Sequence, residues 1–466
     1  MTRTAPRWSL SASELVALYR TGGADPVAVL DACFERIDAV NPQLNAIVTM
    51  DRPGSRVAAE AARARWARRQ PASPLDGVPF TVKDNLHVAG MRATWGSLLF
   101  ADFVPEQDDL SIARLRSGGA VLLGKTNTPE FSLAGHTDNR LFGSTGNPWD
   151  PELTPGGSSG GAVAAVMSGM APIAIATDAG GSIRRPASHT GCVGLKTSIG
   201  RVPRRHGFPP LAGDLQTVGV LARSVADVRT TLEVMAGPAP RQETRSEALE
   251  IAAFAQIPGA PVDPAVLGSF EAAVARIEAL GHSVEIIDAP YDPEDMGALM
   301  MGLASAGIAC VMDAVAADRR GLTSEPIARL ADAGSAMTAA EYVALAHRVA
   351  DFRWLMHDLF ENRDLLLTPT AAALPWPRGT PFPATIAGVR AGPRASAIFT
   401  TFVNVAGIAA ISLPAEPAPS GLPIGIQLAA PPDREAMMFH LGAELEHHHP
   451  WPRVAGVKAS SPTASV

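Results

Sequence analysis

Apolar positions recur at helical spacing through the first 70 residues, and the texture then changes to short apolar runs separated by glycine. "SASELVALYR" follows a capping serine, Ser11 or Ser13, and Pro26 opens "PVAVLDACFERIDAVN" at a first-turn position that tolerates its missing N–H. "SRVAAEAARARWARR" continues in helical style. Residues 77–82, "GVPFTV", and 120–124, "AVLLG", predict buried strands. Between them "DDLSIARLRSGG" predicts an amphipathic helix with a glycine stop, so strand, helix and strand suggest a parallel α/β sheet.

Residues 125–155 are rich in Asn, Thr, Gly and Pro and predict a long loop, a length usually kept for function. A helix ("GAVAAVMSG"), a strand ("APIAIAT"), a glycine-rich turn ("DAGGSIRRP") and a further strand ("GCVGL") follow. The alternation then continues with helices near 224–236, 264–280, 296–318 and 338–360, and strands at "VEII", "DLLLT", "AAISL" and "PIGIQLA". A proline-rich piece, Leu374 to Pro383, predicts a surface loop, and the polar tail after Pro450 predicts fraying. No strong linker divides the chain. The organisation expected is a helical segment (1–70) packed on one large α/β domain (71–450), with a polar tail (451–466).

Composition narrows the classes. With 47% apolar and 18% charged residues in 466, the chain can bury a large core and is too apolar for disorder. A net charge of −7 argues against a direct nucleic-acid surface. Cys33, Cys192 and Cys310 form no CxxC pattern, which points to a reducing, cytoplasmic setting without a disulfide framework or zinc site. The N-terminus lacks a signal-peptide apolar core, and the run Met296 to Met312 is diluted by Gly, Ala and Ser, as in a buried helix. Only Lys83, Lys125, Lys196 and Lys458 of the 39 basic residues are lysine, so each lysine draws attention to what arginine could not do there.

Candidate chemistry centres on "TPGGSSGGAV". A linker would not run straight into an apolar helix, and a phosphate-binding loop would end in Lys-Ser or Lys-Thr. Gly156-x-Ser158-x-Gly160 matches a nucleophile elbow in form, yet a proline-rich loop rather than a strand leads into it. Ser182, 24 residues on, follows a buried strand and two glycines. There the backbone N–H groups of Ala179 to Ser182 could form a nest beside a hydroxyl, or the segment could be a plain glycine turn. A serine needs a base. Lys83 closes the "GVPFTV" strand, and a buried lysine can shed its charge where arginine cannot; the alternative is a structural pair with Asp84.

These residues resemble the amidase signature family of serine hydrolases. The resemblance rests on "TPGGSSGGAVAAVMSGMAPIAIATDAGGSIRRPASHTGCVGLK", supported by "LDGVPFTVKDN", "GKTNTPEF", "GSTGNPWD", "FVNVAGIAAISLP" and "GLPIGIQL". It is strong over residues 75–230 and looser elsewhere. It implies an α/β fold with a mixed central sheet sandwiched between helices, no metal and no organic cofactor. It further implies Ser182 as nucleophile, Ser158 as a bridging serine in a cis peptide, and Lys83 as general base. The implied oxyanion hole is the N–H groups of Ala179, Gly180, Gly181 and Ser182. Asp178 and Arg184 are expected to brace the turn. One departure is Thr197-Ser198 after Lys196, where relatives often carry Pro-Thr; Lys196, and Lys125 in the turn after its strand, are read as structural.

The leading expectation is an amidohydrolase that cleaves a small or medium carboxamide through a seryl acyl-enzyme. Alternatives are a glutaminase-type subunit of a tRNA-dependent amidotransferase and a urea- or biuret-type amide hydrolase. Substrate contacts are expected from Phe131, Ser132, His136, Thr137, Ser159 and Asp178. The partner expected is a small-molecule amide, with no direct nucleic acid, no membrane, and a homodimer as candidate assembly.

Overall fold

Short apolar runs become the strands of the computed structural model, which describes residues 5–237, 248–432 and 434–456. The strands are β1 (Ile47–Met50), β2 (Pro79–Lys83), β3 (Val121–Thr126), β4 (Ile173–Asp178), β5 (Val193–Lys196), β6 (Thr217–Ala222) and β7 (Glu250–Ala253). They continue with β8 (Ser283–Ile286), β9 (Leu365–Pro369), the small hairpin β10 (Thr385–Ile386) and β11 (Val389–Arg390), β12 (Ala409–Pro414) and β13 (Gly425–Ala430). Eleven of them form one sheet in the order β1-β3-β2-β4-β6-β5-β12-β13-β9-β7-β8. The sheet is mixed: β2 runs parallel to β3 and β4, and β7 parallel to β8 and β9, while the central pairings are antiparallel.

Helices cover both faces: α1 (Ala12–Thr21), α2 (Pro26–Leu44), α3 (Arg52–Ala67), α4 (Leu110–Ser117), α5 (Gly160–Met167), α6 (Arg184–Thr190) and α7 (Val225–Ala236). They are followed by α8 (Pro264–Ala279), α9 (Pro293–Asp313), α10 (Glu325–Ala336), α11 (Ala339–Leu359), α12 (Thr401–Ala406) and α13 (Glu435–His448). The sandwich follows from strand alternation. Leu365 and Leu367 pack into one core with Val228, Ile277 and Met438, whereas Leu366 between them packs into a second core with Met296, Phe352 and Phe402. Ala409 and Ile411 divide from Ala410 in the same way.

Several expectations need correction. The opening segment is not all helix: "IVTM" is β1, an edge strand paired with β3, too short among helices to announce itself. β3 runs on through Lys125 and Thr126, so Lys125 lies inside the strand rather than in the turn after it. Its ammonium is fully buried 3.1 Å from Asp84, which is how a polar end of a strand stays in the interior. Part of the expected fraying tail is tied down: Trp451 Nε1 donates to Arg223 O at 3.2 Å and Ala455 N to Met167 O at 2.8 Å. Residues 457–466 lie outside the described residues. The apolar helix α9 is long and apolar enough to cross a membrane, but it packs on α10, α11 and α12 with Met296, Leu299, Met300, Ile308 and Met312 buried.

Candidate active site

Parallel neighbours β2 and β4 pair Val82 with Ile175, and β4 runs about two residues past the end of β2; the carboxyl ends of both carry the polar groups, the usual place for a site in an open α/β sheet. Lys83 is the last residue of β2 and Asp178 the last of β4, both with no exposed surface. Lys83 Nζ lies 2.8 Å from Ser158 Oγ and 3.4 Å from Thr177 O. Burial lowers its pKa to about 7, with the Asp178 carboxylate pulling the other way. Lys83 and Asp84 are therefore not a pair; Lys125 takes Asp84, which also accepts from Thr94.

Ser158 sits at the entrance to α5, and the Gly157–Ser158 peptide is cis. Gly157 is required by close approach, since a Cβ there would fall 2.4 Å from His136 O. The second serine segment is braced by Asp178. Its Oδ1 accepts from Gly181 N at 2.7 Å, its Oδ2 from Ile183 N at 3.0 Å, and Arg184 Nη2 lies 2.9 Å from Oδ1. Burial alone would raise the Asp178 pKa, but the charge and hydrogen bonds of Arg184 and the two N–H groups hold it well below the usual carboxylate range. Arg184 is anchored in turn by Gln427 Oε1 at 2.7 Å and Asn404 Oδ1 at 2.5 Å. Gly181 adopts φ 103°, and a Cβ there would fall 2.2 Å from Thr400 Oγ1, so only glycine fits.

Ser159 N donates to Ser182 O at 3.1 Å, which holds the two serine segments together. Ser158, Ser182, Thr177 and Ala179 open onto one recess with Phe131, Ser132, Leu133, Leu211, Ala212, Gln216, Met300 and Ala304. Phe131 and Ser132 thus line the same space as the serines. Thr137 is not a free contact: its hydroxyl donates to Gly156 O at 2.9 Å and accepts from Gly160 N at 3.0 Å, shaping the serine loop. Ser159 and Asp178 are also spent inside the framework, and His136 contributes its backbone against Gly157. Of the four N–H groups expected to face an oxyanion, that of Gly181 is committed to Asp178; among the described residues those of Ala179, Gly180 and Ser182 donate to nothing.

Leu211, Gln216, Met300 and Ala304 had no local signal. The helical spacing of Met300 and Ala304 places them on one face of α9, but nothing in that run says the face meets the serines.

A fold and a constellation of this kind define an enzyme acting on amide C–N bonds. The family model described as Amidase matches residues 28–439, and the chain belongs to that family, the amidase signature enzymes. The chain is 33% identical over 474 residues, 94% of its own length and 96% of the relative's, to a glutamyl-tRNA(Gln) amidotransferase subunit of Moorella thermoacetica. Among solved structures it resembles a bacterial aryl acylamidase of the amidase signature family, at TM-score 0.88 and 27% identity over 96% of this chain and 98% of that one. It also resembles 6-aminohexanoate cyclic dimer hydrolase with its substrate, at TM-score 0.83 and 27% identity over 95% and 98%.

One expectation falls here. A partner set restricted to a small amide and excluding nucleic acid does not stand beside curated relatives, matched almost end to end, that are subunits of a tRNA amidotransferase. The net negative charge misled because it describes one chain, and a subunit can leave the contact to others.

Proposed function

We propose that this chain cleaves a carboxamide C–N bond through an acyl-enzyme on Ser182, with Ser158 and Lys83 relaying the proton. The observation that carries this is the 2.8 Å approach of the buried Lys83 Nζ to Ser158 Oγ at the mouth shared with Ser182. With a pKa lowered to about 7, half of Lys83 is neutral at that pH and can take the Ser158 proton. Ser158 then takes the proton of Ser182 as its oxygen attacks the carbonyl. The carbonyl oxygen, turned negative, faces the N–H groups of Ala179, Gly180 and Ser182. In reverse the relay protonates the departing nitrogen, and water later releases the carboxylic acid from Ser182. The buried Cys33 and Cys192 suit a reducing compartment such as the cytoplasm.

The curated relatives favour one substrate for this chemistry. Sequence identities of 32–34% across 89–96% of this chain go to the corresponding subunit of glutamyl-tRNA(Gln) amidotransferases, which supports glutamine as the amide and a multi-subunit setting. Ammonia release from glutamine, measured for the chain alone and with Glu-charged tRNA and candidate partner subunits, tests this. Stimulation by partner and tRNA is the expected result. Brisk turnover of simple amides with no response to either would return the reading to a stand-alone amidohydrolase.

A further inference from the structure

Two guanidinium groups lie against the oxyanion turn, and neither is paired with an acid among the described residues. Arg185 is 5% exposed, and its Nε has no hydrogen-bond partner. Its neighbour Arg184 differs in every respect, being tied to Asp178, Gln427, Asn404 and Thr400. A Cβ on Gly181 would lie 2.8 Å from Arg185 Nε, and one on Gly135 would lie 2.9 Å from Arg185 Nη1. The planar head therefore reaches from the oxyanion turn to the Gly135–His136 segment that packs on Gly157. On the other glycine of the turn, a Cβ at Gly180 would lie 3.4 Å from Arg394 Nη2, which donates to Thr401 Oγ1 at 2.6 Å.

The nearest candidate counter-charge, Asp178, is consumed by Arg184 and the turn. Burial first, and Arg394 next, lower the Arg185 pKa to about 9, which leaves it charged at neutral pH. A buried cation without a counter-charge is costly, and the half-buried Arg394, bonded to a neutral hydroxyl, adds its like charge nearby. A carboxylate offers the planar, two-oxygen acceptor that a guanidinium fork matches, and it would offset both. Turn bracing does not explain the Arg185 head, because the side-chain hydrogen bonds that brace the turn come from Asp178, Arg184, Thr400 and Asn404, and Arg185 adds only its backbone N–H to Gly181 O.

We infer that the substrate bears a carboxylate besides its scissile amide, and that Arg185, with Arg394 beside it, holds that carboxylate next to the oxyanion turn. The inference rests on the proposed attack by Ser182. It narrows the substrate class to monoamides of dicarboxylic acids and amino-acid amides such as glutamine, and it disfavours neutral aryl or alkyl amides.

The test compares succinamate and glutaramate with their neutral counterparts butyramide and valeramide in the wild type, Arg185→Gln and Arg185→Lys. We expect kcat/KM to favour the anionic amides by roughly tenfold or more in the wild type, the size of one charge-assisted contact. That ratio should collapse toward one in Arg185→Gln, chiefly through KM, and recover in part in Arg185→Lys. A ratio near one in the wild type, or an unchanged ratio in a folded Arg185→Gln, would overturn the inference. Calorimetry of succinamate with Ser182→Ala reads binding without turnover, and absence of binding there counts against it as well. Fluorophosphonate labelling separates the two layers. Ser182 labelled without any anionic preference removes the carboxylate site and leaves the catalytic reading intact; succinamate bound by a protein whose Ser182 never reacts does the reverse.

Discussion

In the proposed relay, burial is what fits Lys83 to serve as the base. Its side chain is sealed at the end of β2, and the loss of hydration brings its pKa down to about 7. The form the proposed relay requires is the neutral amine, whose fraction grows as pH rises through that value. kcat/KM is therefore expected to climb with a midpoint near 7 and then level off; a limb near the ordinary lysine value of about 10.4 would contradict the assignment. Lys83→Arg stays charged and should lose turnover by about 10²–10⁴-fold, the range of a missing general base. Stability rises with pH as well. Between about 7 and about 10.4 the unfolded chain binds more protons than the folded one, so the contribution of Lys83 to stability increases with pH across that window. Lys83→Met should thus resist urea better than the wild type at pH 7, with the advantage shrinking toward pH 10. Asp178 is the opposite case, a carboxylate held ionised by Arg184. Asp178→Asn leaves Arg184 buried without its counter-charge, and urea denaturation should record a loss of about 3–5 kcal/mol.

The two glycine-rich elements divide one task. The 156–161 segment sets the Ser158 hydroxyl against Lys83, and the 178–182 turn presents Ser182 with free N–H groups, each fixed by contacts that leave no room for a Cβ. Gly181→Ala meets both a left-handed φ and Thr400, so the turn must shift and its N–H groups with it. kcat is expected to fall by about 10²–10³-fold with a smaller change in KM, as for a displaced oxyanion donor; an unchanged kcat would show that the turn does not serve the transition state. Much at this scale is legible in the sequence. β2, β4 and α5 are apolar runs bounded by glycine or proline, and the two serine segments interrupt them in plain view. The pattern misplaces Lys125 because apolarity stops at Gly124 while the strand does not; an ion pair with Asp84, 41 residues away in sequence, carries it on. Arg184 and Arg185 are identical neighbours with opposite surroundings, a distinction that no local pattern encodes.

Across the whole molecule, the site exists only because one continuous sheet brings distant segments together. Leu211, Met300 and Ala304 reach the recess from beyond β5, and Asn404 and Gln427 reach Arg184 from near the C-terminal end of the chain. Such contacts are a property of strand order, and the crossing from β6 to β5 and on to β12 cannot be read from periodicity. Because both halves of the sheet supply the site, activity and far-ultraviolet circular dichroism should vanish together in urea; activity lost well before the dichroism would mean that the site opens independently. The most direct test of the account is the identity of the acylated residue. Rapid quenching of the protein with an activated amide or ester, followed by peptide mass analysis, should place the acyl group on Ser182. Ser182→Ala should carry none and turn nothing over. Acylation at Ser158, or sustained turnover by a folded Ser182→Ala, would contradict it.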